Sequence, residues 1–207
     1  MASVPTIYYF DVKARAEPLK VALAGKGIAY KLENISLEAV KNLEEYPFGQ
    51  APRYKDESVD LVQTNAILRH IGRKYNMYGQ GLEQQADIDV LLEGIQDFIP
   101  KIYQALVVNK DESSKADFWA NHGDPSSKQS KTAGAHFAYL DAYIRRSQGS
   151  YAVGDSFTIA DAALFSFLHN VIQPTFGDKL AASYPDLQAH SKRIAELPVL
   201  KSYLESG

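Results

Sequence analysis

The residues with the clearest chemical potential lie at positions 63–65, where Gln63, Thr64 and Asn65 open a predicted helix. The first backbone N–H groups of a helix have no intrahelical acceptor and lie at the positive end of its dipole, so they bind carboxylates and phosphates well. A hydroxyl between two amides at that place is consistent with an anion-binding site. An ordinary N-cap explains the same residues, because Thr and Asn are favoured there in any case. Local chemistry alone leaves both interpretations open.

The elements that would position this helix start follow from the pattern of the first 78 residues. Short β-favouring runs alternate with helical segments, and Pro18 fits the first turn of a helix that ends at the glycines of 25–27. The order β-α-β, a further short helix, then β-β-α predicts a mixed four-stranded sheet with helices packed on it. The predicted strands cover 7–10, 28–35, 53–55 and 59–62; the later helices cover 37–43 and 64–75, with a proline turn at 47–52.

Beyond residue 78 the strand signals give way to helical periodicity. The fold class predicted is therefore α/β followed by all-α, with an α/β domain at 1–78, a Gly-containing linker at 79–84 and a helical bundle domain at 85–207. One long helix, 87–108, should bend at Pro100. The segment Thr158-Ile159-Ala160-Asp161 predicts a capping box in which Asp replaces the usual Glu or Gln. Further helices are predicted at 133–146, 155–170, 187–197 and 198–204, and 109–130 is polar and should be loop in part.

Composition excludes several kinds of chemistry. The chain has no cysteine, so disulfides, thiolate metal sites and a thiol nucleophile of its own are excluded, and any reactive sulfur must come from a ligand. A net charge of −3 gives no reason to expect nucleic acid or an anionic membrane as partner. No apolar run approaches the ~20 residues that span a bilayer. The five histidines show no metal-ligand spacing, so no metal is expected, and there is no dinucleotide or P-loop motif.

Several motifs, in their order and spacing, resemble those of a cytosolic glutathione S-transferase of the tyrosine type, nearest the pi and sigma classes. The resemblance extends along essentially the whole chain, and the segments that carry it are 9–10, 15–18, 48–52, 63–69, 153–155 and 158–161. It implies that the first domain has the thioredoxin-like fold and binds glutathione, and that the helical domain completes the site for an electrophile. It also favours the anion-binding interpretation of the helix start at residue 63.

The resemblance assigns the catalytic role to Tyr9, whose hydroxyl would stabilise the glutathione thiolate. An ordinary thiol has a pKa of about 8.5. Lowering it by two units requires about 2.7 kcal/mol, and one charge-assisted hydrogen bond supplies roughly 1.5–3 kcal/mol. Without the family context Tyr9 would be one of 13 tyrosines in the chain. Its neighbour Tyr8 should face the opposite side of the sheet.

The resemblance implies the rest of the glutathione site residue by residue. Arg15 would lie near the thiolate and the peptide's carboxylates, with an ordinary solvated arginine as the alternative. Lys41 would be the cation at the glycine end, where Val40 stands in place of the usual tryptophan. Asp97 would reach the γ-glutamyl ammonium of glutathione on the partner subunit, and Phe48 would be the aromatic key inserted into that partner. The remaining expected contacts come from Gln50, the backbone of Ala51, a cis peptide bond at Pro52, and the carboxylate-binding pair Gln63 and Thr64.

The electrophile site is expected between the loop after the first strand and the long helices. No tyrosine stands near Val107, so a second assisting hydroxyl is not expected. The candidate residues are Phe10, Val12, Leu106, Val107 and Val108. Each of these apolar residues could equally belong to the core.

The function predicted is conjugation of the glutathione thiolate to small hydrophobic electrophiles by a cytoplasmic homodimer. Glutathione is then a co-substrate, and no cofactor is expected. Two alternatives stay open: a catalytically weak binding or structural protein on the same fold, and a glutathione-dependent isomerase or peroxidase.

Overall fold

The computed structural model describes residues 4–127, 135–147 and 149–205. Its four-stranded sheet has the order β2-β1-β3-β4. Strand β1 (Thr6–Tyr9) pairs in parallel with β2 (Lys31–Asn34) and antiparallel with β3 (Arg53–Lys55), which forms a hairpin with β4 (Asp60–Val62). The prediction of a mixed four-stranded sheet is confirmed. Strand β2 is shorter than the predicted 28–35.

Two helices pack on this sheet, α1 (Glu17–Gly25) and α2 (Thr64–Lys74). Pro18 lies in the first turn of α1, as predicted, and Gly27 after its end has a φ of 67°. The helix predicted at 37–43 is only a 3₁₀ turn, Ala39–Lys41. None of its residues is buried, and so short a helix needs tertiary packing to persist.

The long helix predicted at 87–108 is several segments. Helix α3 (Gly81–Gln96) begins inside the segment predicted as linker, and α4 (Ile99–Tyr103) continues as a π-helical stretch, Gln104–Asn109. The interruption lies before Pro100, because proline has no N–H to donate to the carbonyl of Gln96. The domain boundaries of 1–78, 79–84 and 85–207 stay a prediction.

The remaining helices include two stretches that the sequence pattern did not indicate. Part of the polar segment 109–130 is helical, with α5 (Glu112–Phe118) and a π-helical turn, Trp119–Gly123. The second is α8 (Gln173–Ser183). The helix predicted at 133–146 corresponds to α6 (His136–Arg146). Residues 133–134 of that prediction, and residues 128–130 of the polar segment 109–130, lie outside the described residues. The other helices are α7 (Ile159–Phe167) with its π-helical extension Leu168–Ile172, α9 (Pro185–Ala195) and α10 (Pro198–Glu205).

Helix α7 forms the centre of the molecule. All of its residues are buried, and it packs against α1 of the first half and α3 of the second. The predicted capping box opens it: Asp161 accepts the backbone N–H of Thr158 at 2.8 Å. Side chains from both halves therefore share one apolar core. Across the described ranges, no helix has the length and apolarity needed to cross a membrane.

Candidate active site

A large, mainly apolar cavity lies where the two halves of the molecule meet. Its volume is about 940 Å³. The loop after β1, the first turns of α1 and α2, the α3–α4 region and the α7–α8 region all contribute to its wall. Its charged lining residues, Lys13 and Arg15, are both on the β1–α1 loop, so a ligand with one charged and one apolar part would fit its chemistry.

Tyr9 lies at the end of β1, 4% exposed, and lines this cavity. Its hydroxyl oxygen accepts the backbone N–H of Arg15 at 3.0 Å, which leaves the hydroxyl hydrogen to be donated elsewhere. Burial raises the pKa of Tyr9, outweighing the Arg15 N–H and guanidinium charge, which lower it. The phenol is therefore a protonated hydrogen-bond donor at neutral pH. Tyr8 faces the other side of the sheet, where the guanidinium of Arg53 lies over its ring.

Arg15 lines the same polar end of the cavity. Its Nη2 donates to Oε1 of Gln96 at 3.0 Å, a contact between the first half of the chain and α3. Burial lowers the pKa of Arg15, opposed by the nearby phenol of Tyr9. Gln96 and the neighbouring Lys13 also line the cavity, and sequence reasoning missed both. Lys13 could have been suspected from its place beside Arg15, whereas Gln96 carries no local signal.

The backbone is strained at the start of α2. Gln63 has a φ of 74°, in the left-handed region that costs a non-glycine residue about 1–3 kcal/mol. Its side chain makes no capping hydrogen bond and lies 3.5 Å from Oε1 of Gln50. The hydroxyl of Thr64 donates to the carbonyl of Arg15 at 3.0 Å, so its proton is used within the protein. The peptide bond between Ala51 and Pro52 is cis, as predicted.

Thr64 lines the cavity itself. The pairing of Arg53 with Val62 across β3 and β4 brings the Gln50–Pro52 turn beside Gln63. The structure thus brings together the residues predicted around the helix start.

Eight of the predicted residues are outside the cavity lining: Gln50, Ala51, Pro52 and Gln63, which lie around the start of α2, and Lys41, Phe48, Asp97 and Val108. Lys41 forms an ion pair with Glu38 at 2.6 Å, with both side chains largely exposed. Asp97 follows the end of α3, and its carbonyl accepts Nζ of Lys101 at 2.8 Å. Val108 is exposed on the π-helical stretch after α4. Their roles stay predictions.

The apolar part of the cavity contains most of the predicted electrophile residues. Phe10, Val12, Leu106 and Val107 line it. Tyr103 lines it too, 55% exposed and one helical turn before Val107, so a second phenol is present where none was expected. The spacing of Ile102 and Leu106 could have indicated this face of α4. The lining from α7 to α8 was missed because no cavity residue was predicted on the helix at 155–170 and α8 itself was not predicted. It comprises Ala163, Ser166, Phe167, Asn170, Val171, Pro174 and Thr175.

A second, smaller depression of about 210 Å³ lies between α3 and α6. Asp97 is at its edge, beside Val90, Tyr139 and Tyr143. Phe48 is 66% exposed on the loop before β3. Among the described residues, no three His, Asp or Glu side chains are grouped closely enough to hold a metal ion.

Comparisons with known proteins agree with this architecture. The family model described as glutathione S-transferase, N-terminal domain, matches residues 5–73, and that of the C-terminal domain matches residues 96–207. Glutathione S-transferase P of Bos taurus is 30% identical, covering 97% of this chain and 91% of its own length. Glutathione S-transferase alpha-1 of Rattus norvegicus is 31% identical, covering 100% and 90%.

Among solved structures, the pi-class glutathione S-transferase of Onchocerca volvulus superposes with a TM-score of 0.83 at 25% identity, covering 99% of this chain and 93% of its own. Two domain models and full-length relatives therefore lead to one conclusion. The chain belongs to the glutathione S-transferase family.

Proposed function

We propose that Tyr9 donates its hydroxyl proton in a hydrogen bond to the thiolate of glutathione, and that this transferase adds that sulfur to small hydrophobic electrophiles. The observation that carries the proposal is the buried phenol of Tyr9, held by the N–H of Arg15 at 3.0 Å and facing an apolar cavity. A phenol so placed accepts one hydrogen bond from the protein and donates another to the ligand.

The reaction requires the thiol to lose its proton, which passes to solvent, before the carbon–sulfur bond forms. The thiolate attacks an electrophilic carbon; in an aryl halide the carbon–halogen bond then breaks and halide leaves. The hydrogen bond from Tyr9 supplies roughly 1.5–3 kcal/mol toward the anion. The guanidinium of Arg15, fixed by Gln96, adds favourable charge at the same end of the cavity.

The γ-glutamyl carboxylate would bind at the start of α2. Because the hydroxyl of Thr64 is bonded to the carbonyl of Arg15, the donors offered to a carboxylate are the backbone N–H groups of the first turn and the amide of Gln63. The strain at Gln63 supports a binding role. The backbone of Ala51 would pair with the cysteinyl amide, with Gln50 beside it, and Lys41 would attract the glycine carboxylate.

The electrophile would occupy the apolar part of the cavity. Phe10, Val12, Leu106 and Val107 give it an apolar wall, and Tyr103 adds a phenol that could donate to a polar group of the substrate. Val108 would contribute from the end of the same helical stretch.

The active form would be a homodimer in the cytoplasm, similar to the pi and sigma classes. The exposed Phe48 of each subunit would insert into the partner's depression between α3 and α6. Asp97, at the edge of that depression, would then be near the partner's glutathione ammonium.

A titration of glutathione bound to the protein tests the proposal. The thiolate absorbance should appear at a pH about two units below that of free glutathione, and a chlorinated nitroarene should be conjugated. Thiolate formation at the pH of free glutathione would contradict the role of Tyr9. Retention on immobilised glutathione without conjugation of any of a panel of electrophiles would instead favour a binding protein.

A further inference from the structure

The C-terminal helix is bonded to the residue that opens α1. The hydroxyl of Tyr203 on α10 donates to Oε2 of Glu17 at 2.6 Å. Glu17 is 2% exposed, and its other oxygen forms an ion pair with Nζ of Lys20 on the next turn of α1. The phenol thus satisfies Oε2, whereas Oε1 has the ion pair with Lys20 and no hydrogen-bond donor, and the charge of Lys20 partly neutralises the carboxylate where it lies.

Glu17 lies close in sequence and in space to the reactive end of the cavity. Its N–H donates to the carbonyl of Ala14 at 3.0 Å, in the same turn from which Arg15 donates to Tyr9. Burial raises the pKa of Tyr9, and the charge of Glu17 raises it further. The same two causes raise the pKa of Tyr30 to about 12. Glu17 therefore belongs to the turn whose backbone holds the phenol proposed to bind the sulfur, and its negative charge lies on that side of α1.

We propose that Tyr203 is a positioning residue that donates a hydrogen bond to Glu17 and, together with the charge of Lys20, weakens the negative field of this carboxylate and so limits its repulsion of the bound thiolate. The inference rests on the proposed role of Tyr9. It means that α10 controls the reactivity of the sulfur although none of its residues lines the cavity.

The charged groups on the other helices packed against α1 do not offset the charge of Glu17 in place of Tyr203 and Lys20. Helices α2 and α7 also pack against α1. The acid of α7, Asp161, is bonded to His190 at 2.9 Å. On α2, Arg69 is paired with Asp89, and Lys74 with Asp56. The groups on which Glu17 acts are Lys20, by an ion pair, and the tyrosines at positions 9, 30 and 203.

The test is the variant Tyr203→Phe, which removes the hydroxyl and keeps the ring that packs α10. With the bond lost, more of the charge of Glu17 acts on the thiolate. The titration of bound glutathione and the pH profile of kcat/KM should both shift to higher pH, by on the order of half a unit. The double variant Glu17→Gln/Tyr203→Phe lacks the charge and should titrate at or below the wild-type pH.

The matched control is Tyr78→Phe, which removes a phenol–carboxylate bond of similar length, to Asp89 at 2.7 Å, outside the cavity lining. It should leave the thiolate titration unchanged. A wild-type profile in Tyr203→Phe, or a shift that persists in the double variant, would overturn the proposal and leave Tyr203 a purely structural contact. Glu17→Gln gives a second test that does not depend on the folding of Tyr203→Phe: the titration should shift to lower pH because the charge that Tyr203 offsets is gone, and no shift would overturn the proposal. Failure of the proposed function is recognised separately, because wild-type protein would then show no lowered thiol pKa.

Discussion

At the scale of single residues, the chemistry of Tyr9 depends on where its hydroxyl is bonded rather than on its residue type. The N–H of Arg15 occupies an acceptor position on the phenol oxygen, and burial raises the pKa of the phenol. A phenolate base is thereby disfavoured at neutral pH, and a donor to an anion is favoured. The phenol of Tyr8 is one residue away, yet it lies under Arg53 on the opposite face of the sheet.

The variant Tyr9→Phe should raise the pKa of the bound thiol by about one to two units, since one charge-assisted hydrogen bond supplies roughly 1.5–3 kcal/mol. Because the thiolate is the reactive form, kcat/KM at neutral pH should fall about ten- to hundredfold, and the loss should shrink as pH rises. The measurement is the pH dependence of nitroarene conjugation. Tyr8→Phe is the matched control and should behave as wild type. Equal rates for Tyr9→Phe and wild type across the pH range would exclude this mechanism.

Replacing the strained residue Gln63 should change the stability of the fold and the binding of glutathione in opposite directions. Replacement by glycine relieves the cost of its φ of 74°, and the side chain makes no cap that would be lost. For Gln63→Gly we expect the free energy of unfolding to rise by about 1 kcal/mol and the KM for glutathione to rise at least about tenfold. Denaturant unfolding and steady-state kinetics measure the two quantities. Lys110→Gly, at a φ of 63° beyond the cavity lining, should leave the KM unchanged. If Gln63→Gly were stabilised but its KM for glutathione were unaltered, Gln63 would not be part of the glutathione-binding site.

At the scale of elements, the β3–β4 hairpin is joined to α2 by one buried carboxylate. Asp56, whose side chain is 0% exposed, accepts Nζ of Lys74 at 2.8 Å and lies 2.8 Å from Nε2 of His70. Burial by itself would raise the pKa of Asp56, but the hydrogen bonds from Lys74, His70 and Ser58 outweigh it and hold that pKa well below its usual range. This cluster fixes the hairpin relative to the helix whose first turn is the proposed carboxylate site.

The variant Asp56→Asn should lower the free energy of unfolding by about 1–3 kcal/mol at neutral pH, because Lys74 and His70 lose a charged acceptor while Lys74, 23% exposed, keeps its ion pair with Glu57. A depressed pKa stabilises the fold above the unfolded value of about 3.9, and that contribution is lost as pH falls toward the folded value. The difference between variant and wild type should therefore narrow below about pH 4. Urea unfolding at several pH values measures it. Glu112→Gln, which breaks an exposed pair with Lys115, should cost no more than about 1 kcal/mol. If the difference in unfolding free energy between Asp56→Asn and wild type did not change with pH, the lowered pKa of Asp56 would be contradicted.

Local signals predicted some elements and not others, for physical reasons. The capping box of Thr158 and Asp161 was readable because its partners are three residues apart, and the hairpin because its strands are adjacent. Helix α8 was missed because its first residues, Gln173-Pro174-Thr175, resemble a loop; burial of Phe176 and Leu180 stabilises it.

The residues of the candidate site likewise include some that the sequence could predict and others that it could not. Tyr9 and Arg15 carry a motif that the family resemblance identifies, whereas Gln96 is brought to Arg15 from 81 positions away and only the tertiary fold shows the contact. Tyr103 was overlooked for a related reason, since the direction in which a helical side chain points depends on how α4 packs.

At the scale of the whole molecule, the reactive end of the cavity depends on both halves of the chain. Arg15 is held by Gln96 of α3, and Glu17 is held by Tyr203 of α10. Helix α7 is buried between α1 and α3. Loosening of the helical half should therefore disturb the position of Tyr9 even where no cavity residue is changed.

Assembly is the last property at this scale. The depression between α3 and α6 could receive Phe48, since this aromatic ring is 66% exposed and the lining of the depression includes the apolar side chains of Val90, Leu91 and Leu140 beside its polar ones. A buried aromatic anchor typically contributes about 2–4 kcal/mol to an interface, and a symmetric dimer buries it twice. For Phe48→Ala we expect the dimer to dissociate at concentrations at which wild type stays associated, as measured by sedimentation velocity.

Because Asp97 would contact the partner's glutathione, dissociation of Phe48→Ala should also raise the KM for glutathione, and the two effects should follow the same protein concentration. Leu82→Ala is the control, since Leu82 is also a large exposed apolar residue but lies outside the depression. If Phe48→Ala became monomeric while its KM for glutathione stayed at the wild-type value, Phe48 would be supported as the dimer contact. The same result would contradict a contact between Asp97 and the partner's glutathione. If Phe48→Ala remained as dimeric as wild type, the ring would instead be a surface residue of its own subunit, and each site would have to bind glutathione with the groups of one chain.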